Sequence, residues 1–540
     1  MSLGLADLHP QQVPGLSLAQ VLELSEGKIY PETADVTQRI AGVTVASNEV
    51  AADYLFVALA GARAHGWDYA PQAVEAGATA ILTTSAGLEA LKAKALPVPV
   101  IACENPREVA GLVAAQVFGD PSSKLKVYGV TGTNGKSTST RMLRAAFEDQ
   151  PDGHRAGNIG TVGIDLGGVQ LPSARTSLEA PLLQQLLAFA LENGTQEAAI
   201  EVSSHALELG RISGLKLETV GFLNLQRDHL DFHGTMEDYF LAKAKLFDPA
   251  RAQRGVICVD DQWGERLAAE TKLPHVTVAT EGKTADWNVR VLPNPAGMAG
   301  TDFELYAPAG SQYPEVVRAH CPLPGHYNVQ NMAVALVMAA VSGHDVQVAA
   351  ERIARNTQVP GRMEIVQGRT EEKALTVVDY AHTTDAIVLS CQALRPHTPG
   401  RIILVFGATG ERDRGKRAQM GQSACECADL VIVTDDDPYT EPTDQIRAEV
   451  LQGCPSFATV SSTSEAQEAL SQAPNQDQLP ALEVDGRELA IQISLGLARP
   501  EDTVLLAGRG HETIQVVGTT PVELDDRLVA REFWAQSGRK

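Results

Sequence analysis

Residues 126–138 read Lys-Val-Tyr-Gly-Val-Thr-Gly-Thr-Asn-Gly-Lys-Ser-Thr, a β-branched run, a glycine-rich turn and then a helical pattern. That order suits a phosphate cradle. Glycines let backbone N–H groups close on phosphate oxygens, and the helix N-terminus adds partial positive charge. Thr131, Gly132, Thr133, Asn134, Gly135 and Thr138 would form the cradle, Lys136 would reach the terminal phosphates, and the Ser137 hydroxyl would sit on a bound magnesium ion. The first glycine comes at Gly129, one residue earlier than the usual spacing, and valine stands at 130. The pattern predicts binding of a nucleoside triphosphate.

Further reactive side chains follow in order. Glu201 lies inside an apolar strand (Ala198-Ala199-Ile200-Glu201-Val202), where a carboxylate needs either a salt bridge or a metal held by phosphates. Asp228, His229, Asp231 and His233 crowd the end of the next strand, as metal ligands or as caps of a polar loop. Lys243 falls four residues from both Tyr239 and Phe247 on one helix face, so it either snorkels to water or is a functional group. Asn328, Gln330 and Asn331 open a long apolar helix and can read a base edge or cap that helix.

Positioning these groups takes more than one core. A chain of 540 residues with 44% hydrophobic and 21% charged residues predicts about three domains of a globular protein. The expected units are 1–120, 121–358 and 359–540, with Gly119-Asp120-Pro121-Ser122-Ser123 as a linker. In the third unit, strands at 375–379, 401–406, 430–434 and 503–507 alternate with helical stretches, which predicts a doubly wound α/β sheet. Their ends carry Tyr380-Ala381-His382, Gly407 to Asp413, Asp435 to Tyr439, and Gly508 to Glu512, one ligand-binding rim. Segment 471–481 lacks periodicity and predicts a mobile surface insertion.

The formal net charge of −23 argues against nucleic acid or an anionic membrane as the main partner. No apolar run approaches the ~20 residues of a membrane span, and the first residues lack a signal-peptide pattern, so a cytoplasmic location is expected. The seven cysteines are scattered and predict reduced thiols rather than a zinc site.

Seven segments together resemble the Mur ligases over essentially the whole chain: 131–137, 201–207, 224–234, 325–331, Gly361-Arg362-Met363-Glu364, Asp379-Tyr380-Ala381-His382 and Gly508-Arg509-Gly510-His511-Glu512. The resemblance implies three α/β domains: an N-terminal one for a UDP-sugar, a central P-loop ATPase-type one and a C-terminal Rossmann-like one. It implies an ATP-dependent ligase that adds the third amino acid to a UDP-N-acetylmuramoyl dipeptide through an acyl phosphate, working as a monomer. By the same likeness, Lys136, Glu201, His229 and Lys243 are catalytic. Ser137 and Glu201 hold one magnesium, His229 and Lys243 serve a second, and Lys243 is carbamylated by CO2. Asn328, Arg362, Asp379 and His382 contact ATP, and Ser47, Thr176, Ser177, Ser203 and Arg211 contact the UDP-substrate. Arg412, Asp436, Asp437, Tyr439, Gly508 and Glu512 would hold the amino acid.

Departures from the family pattern are Thr384 for proline, Leu209 for glutamine and Asn48 for arginine. Members using meso-diaminopimelate resemble Asp-Asn-Pro-Arg where this chain has Asp436-Asp437-Pro438-Tyr439. Loss of that arginine, with an added acid, favours L-lysine or L-ornithine, and diaminopimelate is the alternative. A folylpolyglutamate synthetase would share the chemistry but not segments 201–207 and 224–234, and a nucleotide switch reading guanine would need Asn-Lys-x-Asp, which is absent.

Overall fold

A computed structural model describes the chain except residues 1–3, 5–7, 62–63, 149–154, 174, 281, 294–299, 358, 474–479 and 538–540. The expected insertion at 471–481 therefore lies largely outside the described residues. Three main sheets succeed one another along the chain. The first has five strands in the order Lys28–Tyr30, Val100–Ala102, Ala78–Thr83, Tyr54–Val57, Gly42–Thr44, parallel except at the Lys28–Tyr30 edge.

The second sheet has eleven strands, and Lys126–Thr131 lies near its middle between Thr195–Glu201 and Leu217–Phe222. All three run parallel, and their register pairs Glu201 with Val130 and Phe222 with Thr131. Three loops therefore leave the sheet at one height, carrying the glycine-rich turn, Ser203 and Asn224. Parallel strands buried on both faces need continuous apolar runs, and Val127, Val130, Ala198, Ala199, Val220 and Phe222 supply them. Helices Lys136–Phe147 and His326–Val341 cover one face, packing Met142, Leu143, Val334 and Met338 into a single core. Helices Ala180–Glu192 and Met236–Ala244 cover the other.

The third sheet has seven strands, with Leu375–Asp379, Thr503–Ala507, Ile402–Phe406 and Leu430–Val433 adjacent and parallel at its centre. The doubly wound reading from alternation is borne out. Short edge strands Glu364–Gln367 and Phe457–Thr459, with Ala481–Glu483 inside the latter, complete it and carry too few residues to show a pattern. Thr384 is the first residue of helix Thr384–Leu394, capped by the Thr383 hydroxyl. Proline is favoured at such a position only for its preset φ, so threonine there keeps the helix. No helix among the described residues is long and apolar enough to cross a membrane.

Arg487 and Asp526, both 0% exposed, clamp the C-terminal helix Asp526–Ser537 to helix Arg487–Leu497 through bonds of 2.6 and 2.9 Å. Removing one partner strands a charge in the core. Asp526→Ala is expected to lower the stability of this unit by about 3–5 kcal/mol, measured as a shifted urea midpoint with an unchanged slope. Loss of less than about 1 kcal/mol would show that water reaches Arg487.

Candidate functional site

The glycine-rich turn is shaped by its neighbours. Gly135 takes φ +89°, and a Cβ there would lie 2.1 Å from Asn331 Oδ1, so only glycine fits. The backbone N–H groups of Thr133 and Asn134 donate to the Asn224 carbonyl and side chain at 3.0 Å each, tying the turn to the neighbouring strand end. Lys136 Nζ donates to the carbonyls of Gly132 (2.9 Å) and Thr133 (2.8 Å), and burial lowers its pKa. Lys243, only 1% exposed, also donates to Gly132 O (2.9 Å) and sits 4.8 Å from the Tyr239 ring centre. Two amines thus converge on one carbonyl. Burial, with Lys136 adding to it, holds the Lys243 pKa well below the ordinary lysine value. Lys243 does not snorkel.

Glu201 is buried, and both carboxylate oxygens are held by one residue: Thr161 N–H donates at 2.7 Å and its hydroxyl at 3.1 Å. A Cβ at Gly160 would lie 2.0 Å from Glu201 Oε1, so glycine makes that approach possible. No salt bridge to Glu201 is formed among the described residues. His229 stands in the left-handed region (φ +53°) at the mouth of the cleft, 3.4 Å from Asp228. Loss of hydration between the cleft walls lowers its pKa, so the imidazole is neutral with a free lone pair.

A cavity of about 550 Å³ joins Lys136, Glu201 and His229, with Lys243 outside its lining, and lies within the range that takes small ligands. The turn from Thr133 to Thr138, Thr161, Thr176, Glu201 and His229 line one side. Arg362, Asp379 and His382 line the other, with Asn328 between. Sequence reasoning missed Thr161, Gln226, Asp260 and His326, which also face the cavity. The sole signal for Thr161 was its place just past a strand end. Asp379 accepts bonds from Met363 N–H (2.7 Å), Ala381 N–H (3.0 Å) and Ser390 (3.2 Å), so it shapes the wall as well as lining it. The Asn328 side chain donates to Pro324 O and accepts from Asn331, and among the described residues no side chain caps the N-terminus of helix His326–Val341, so the capping reading is not met. Arg362 stacks 4.2 Å from the Tyr380 ring centre and donates to Ser137 Oγ at 3.2 Å, joining the second and third sheets' loops.

The remaining predicted residues form two groups. Ser177 Oγ donates to Glu201 O and lies 3.3 Å from Ser203 Oγ, with Thr176 bonded to Thr161 beside them. Arg211 shares Glu179 with Arg107 and Arg175, at 3.0, 2.7 and 2.9 Å, which leaves the cluster with excess positive charge. Ser47 stands apart from the cavity, near Gln72.

At the far rim, Asp436, Asp437 and Glu512 gather around Arg509, which is fully buried and lies 3.4 Å from Asp436 and 2.7 Å from Asp437. Tyr380 OH donates to Glu512 (3.2 Å), and Gly508 N–H donates to Asp379 O (3.1 Å). Burial raises the Tyr439 pKa, with nearby Arg412 acting against it. Asp437 is paired with Arg509, a partner 72 residues away, but three acids share that one guanidinium, so the rim keeps excess negative charge.

Among the described residues, Glu201 and His229 belong to no close group of three His, Cys, Asp or Glu ligands. The oxygens of Ser137 and Glu201 fit magnesium, which takes one or two protein oxygens and completes its shell with phosphates and water, whereas the His229 nitrogen and the unmodified Lys243 amine do not.

Three family models match this chain: the Mur ligase catalytic domain over residues 39–117, the Mur ligase middle domain over 130–339 and the Mur ligase glutamate ligase domain over 361–510. A UDP-N-acetylmuramoyl-L-alanyl-D-glutamate–2,6-diaminopimelate ligase of Streptomyces avermitilis is 38% identical, covering 98% of this chain and 99% of its own. A UDP-N-acetylmuramyl-tripeptide synthetase of Leifsonia xyli subsp. xyli is 37% identical over 97% of this chain and 98% of its own. A solved UDP-N-acetylmuramoyl-L-alanyl-D-glutamate–2,6-diaminopimelate ligase superposes with a TM-score of 0.64 at 28% identity, covering 97% of this chain and all of that one. With a glycine-rich ATP-type turn facing a second α/β sheet across one cavity, and with matches that run nearly end to end, the chain belongs to the Mur ligase family.

Proposed function

We propose that the chain is the ATP-dependent ligase that joins an amino acid to the D-glutamate carboxylate of UDP-N-acetylmuramoyl-L-alanyl-D-glutamate. It would work as a cytoplasmic monomer, since one chain supplies every wall of the cavity. The observation that carries this reading is that cavity, with Lys136 and Glu201 on one wall and Arg362 and His382 on the other.

A carboxylate is a poor electrophile until one oxygen becomes a phosphate leaving group. Phosphoryl transfer to it is mainly a matter of alignment and charge neutralisation. Lys136 is already anchored at the turn and would follow the transferring phosphoryl group. The Arg107, Arg175 and Arg211 cluster offers surplus positive charge to the anionic UDP-substrate, with Thr176, Ser177 and Ser203 as hydroxyl contacts. Ser137 and Glu201 would hold one magnesium, and His229 with carbamylated Lys243 a second. Magnesium supplies neutralisation of charge on the phosphate oxygens. A neutral amine is what adds to CO2, and the lowered Lys243 pKa favours that form. Carbamylation would also replace one of two crowded amines by an anion. The attacking amine enters from the opposite rim, where Arg412, Asp436, Asp437, Tyr439, Gly508 and Glu512 would orient it.

For the third amino acid, diaminopimelate is better supported than lysine or ornithine. The named relatives favour it. Phosphate release from ATP with the UDP-dipeptide and each amino acid in turn tests both points. Release that ignores the amino acid would refute a ligase, and release with lysine alone would restore the alternative.

Burial, then the Asp436 charge, raises the Glu512 pKa to about 7. As pH rises through this value Glu512 becomes an anion able to hold an ammonium group, so KM for the amino acid is expected to fall between pH 6 and 8. A flat KM profile is expected for Glu512→Gln, and an unchanged slope in that variant would assign the titration elsewhere. Against the fold the sign is reversed. The unfolded residue ionises near 4.5, so its contribution to stability declines as pH climbs from there toward 7.

A further inference from the structure

His511 belongs to the rim of the third sheet, yet its side chain reaches the second. Its Nε2 lies 2.9 Å from the Thr161 carbonyl oxygen, 350 residues away in sequence. A carbonyl only accepts, so Nε2 carries the proton and Nδ1 the lone pair. Burial, helped by the nearby Arg362 charge, lowers the imidazole pKa to about 4 and keeps that neutral form through the physiological range. Nδ1 is buried without a hydrogen-bond partner among the described residues, so a single bond sets what the ring does.

The loop carrying His511 is held from two sides. Gly361 takes φ +64°, and a Cβ there would lie 2.0 Å from His511 N, so the connection to the third sheet presses directly on this loop. From the other side Arg527 donates to the His511 carbonyl at 3.2 Å. Thr161, at the receiving end, is the residue whose N–H and hydroxyl clasp both oxygens of Glu201, at 2.7 and 3.1 Å, and whose hydroxyl also meets Thr176. A chain of single contacts therefore runs from the amino-acid rim to the buried carboxylate of the phosphoryl site.

We propose that His511 is a positioning residue: its bond to the Thr161 carbonyl makes the placement of Glu201 conditional on the docking of the third sheet's rim against the second sheet's loops. The inference rests on the ligase reading for its effect on rate, but not for its effect on structure. Docking of the rim would then complete the phosphoryl site together with the side that receives the acceptor amine.

Two variants test it, His511→Ala and His511→Gln, the second keeping an N–H donor at similar reach. With His511→Ala, kcat is expected to fall about tenfold, the scale of one lost hydrogen bond in a closed site, while KM for the amino acid stays within about twofold. Positional isotope exchange in bridge-labelled ATP, with the UDP-dipeptide but no amino acid, should slow by a similar factor. His511→Gln should recover most of both. Independently of turnover, hydrogen exchange at residues 160–163 should quicken in His511→Ala and not in His511→Gln. A raised KM for the amino acid with normal isotope exchange would make His511 a substrate contact and overturn the proposal. Unchanged exchange at 160–163 in His511→Ala would overturn it as well. An inactive wild-type chain whose exchange responds as described would instead sink the ligase reading alone.

Discussion

Replacing Lys136 by alanine is expected to lower kcat on the order of a thousandfold, about 4 kcal/mol of transition-state stabilisation, while the melting temperature stays near that of the parent. The amine already rests on the carbonyls of Gly132 and Thr133, so little rearrangement separates its resting position from phosphate oxygens lying in the turn. Negative charge grows on those oxygens as the γ-phosphoryl group leaves, and a cation fixed beforehand acts where water is excluded. ATP affinity should change much less than rate, because the backbone N–H groups of the turn persist. Phosphate-release kinetics across ATP concentrations separate the two. A variant with normal kcat and a raised KM for ATP would make Lys136 a binding residue only.

Lys243→Ala is expected to abolish more than 99% of activity, a loss of about a hundredfold or more that bicarbonate does not reverse. The parent should behave differently, losing activity in CO2-depleted buffer and regaining it when bicarbonate returns. The basis is local. Lys243 is buried, shares the Gly132 carbonyl with Lys136, and has its pKa lowered by burial and by that neighbour. Among the described residues no acid forms an ion pair with it, and a buried amine so placed is an unstable arrangement unless it is neutral or modified. Mass spectrometry of the intact chain at neutral pH, where a carbamate survives, should find added CO2 only when Lys243 is present. Retained activity in the alanine variant would make the residue purely structural.

Much of this was legible in the chain itself. The glycine-rich turn at 131–138 announces its chemistry by local spacing, because strand, turn and helix are neighbours in sequence. The four central strands of the third sheet are equally plain, since parallel strands buried on both faces need unbroken apolar runs. What could not be read were partners set by folding alone. Asp437 gave no sign that Arg509 would pair with it, and no periodicity links those two positions. Thr161 had no distinguishing type or spacing, yet it holds Glu201 and receives His511. Charge inferred from a short motif is incomplete until its counter-ion is known. The reading of Lys243 stayed open for the same reason, because a helical face predicts burial but not what the amine will touch.

The Arg362 bond to Ser137 carries a last implication. That hydroxyl has one oxygen with two lone pairs, and a divalent ion beside it would repel a guanidinium at hydrogen-bonding range. If Ser137 holds magnesium as proposed, a nucleotide delivered with its ion would evict the arginine, with the incoming phosphates as its natural new partner. Occupancy at the turn would thereby be reported to the strap between the last two sheets as an exchange of anchors, with the arginine serving as the messenger.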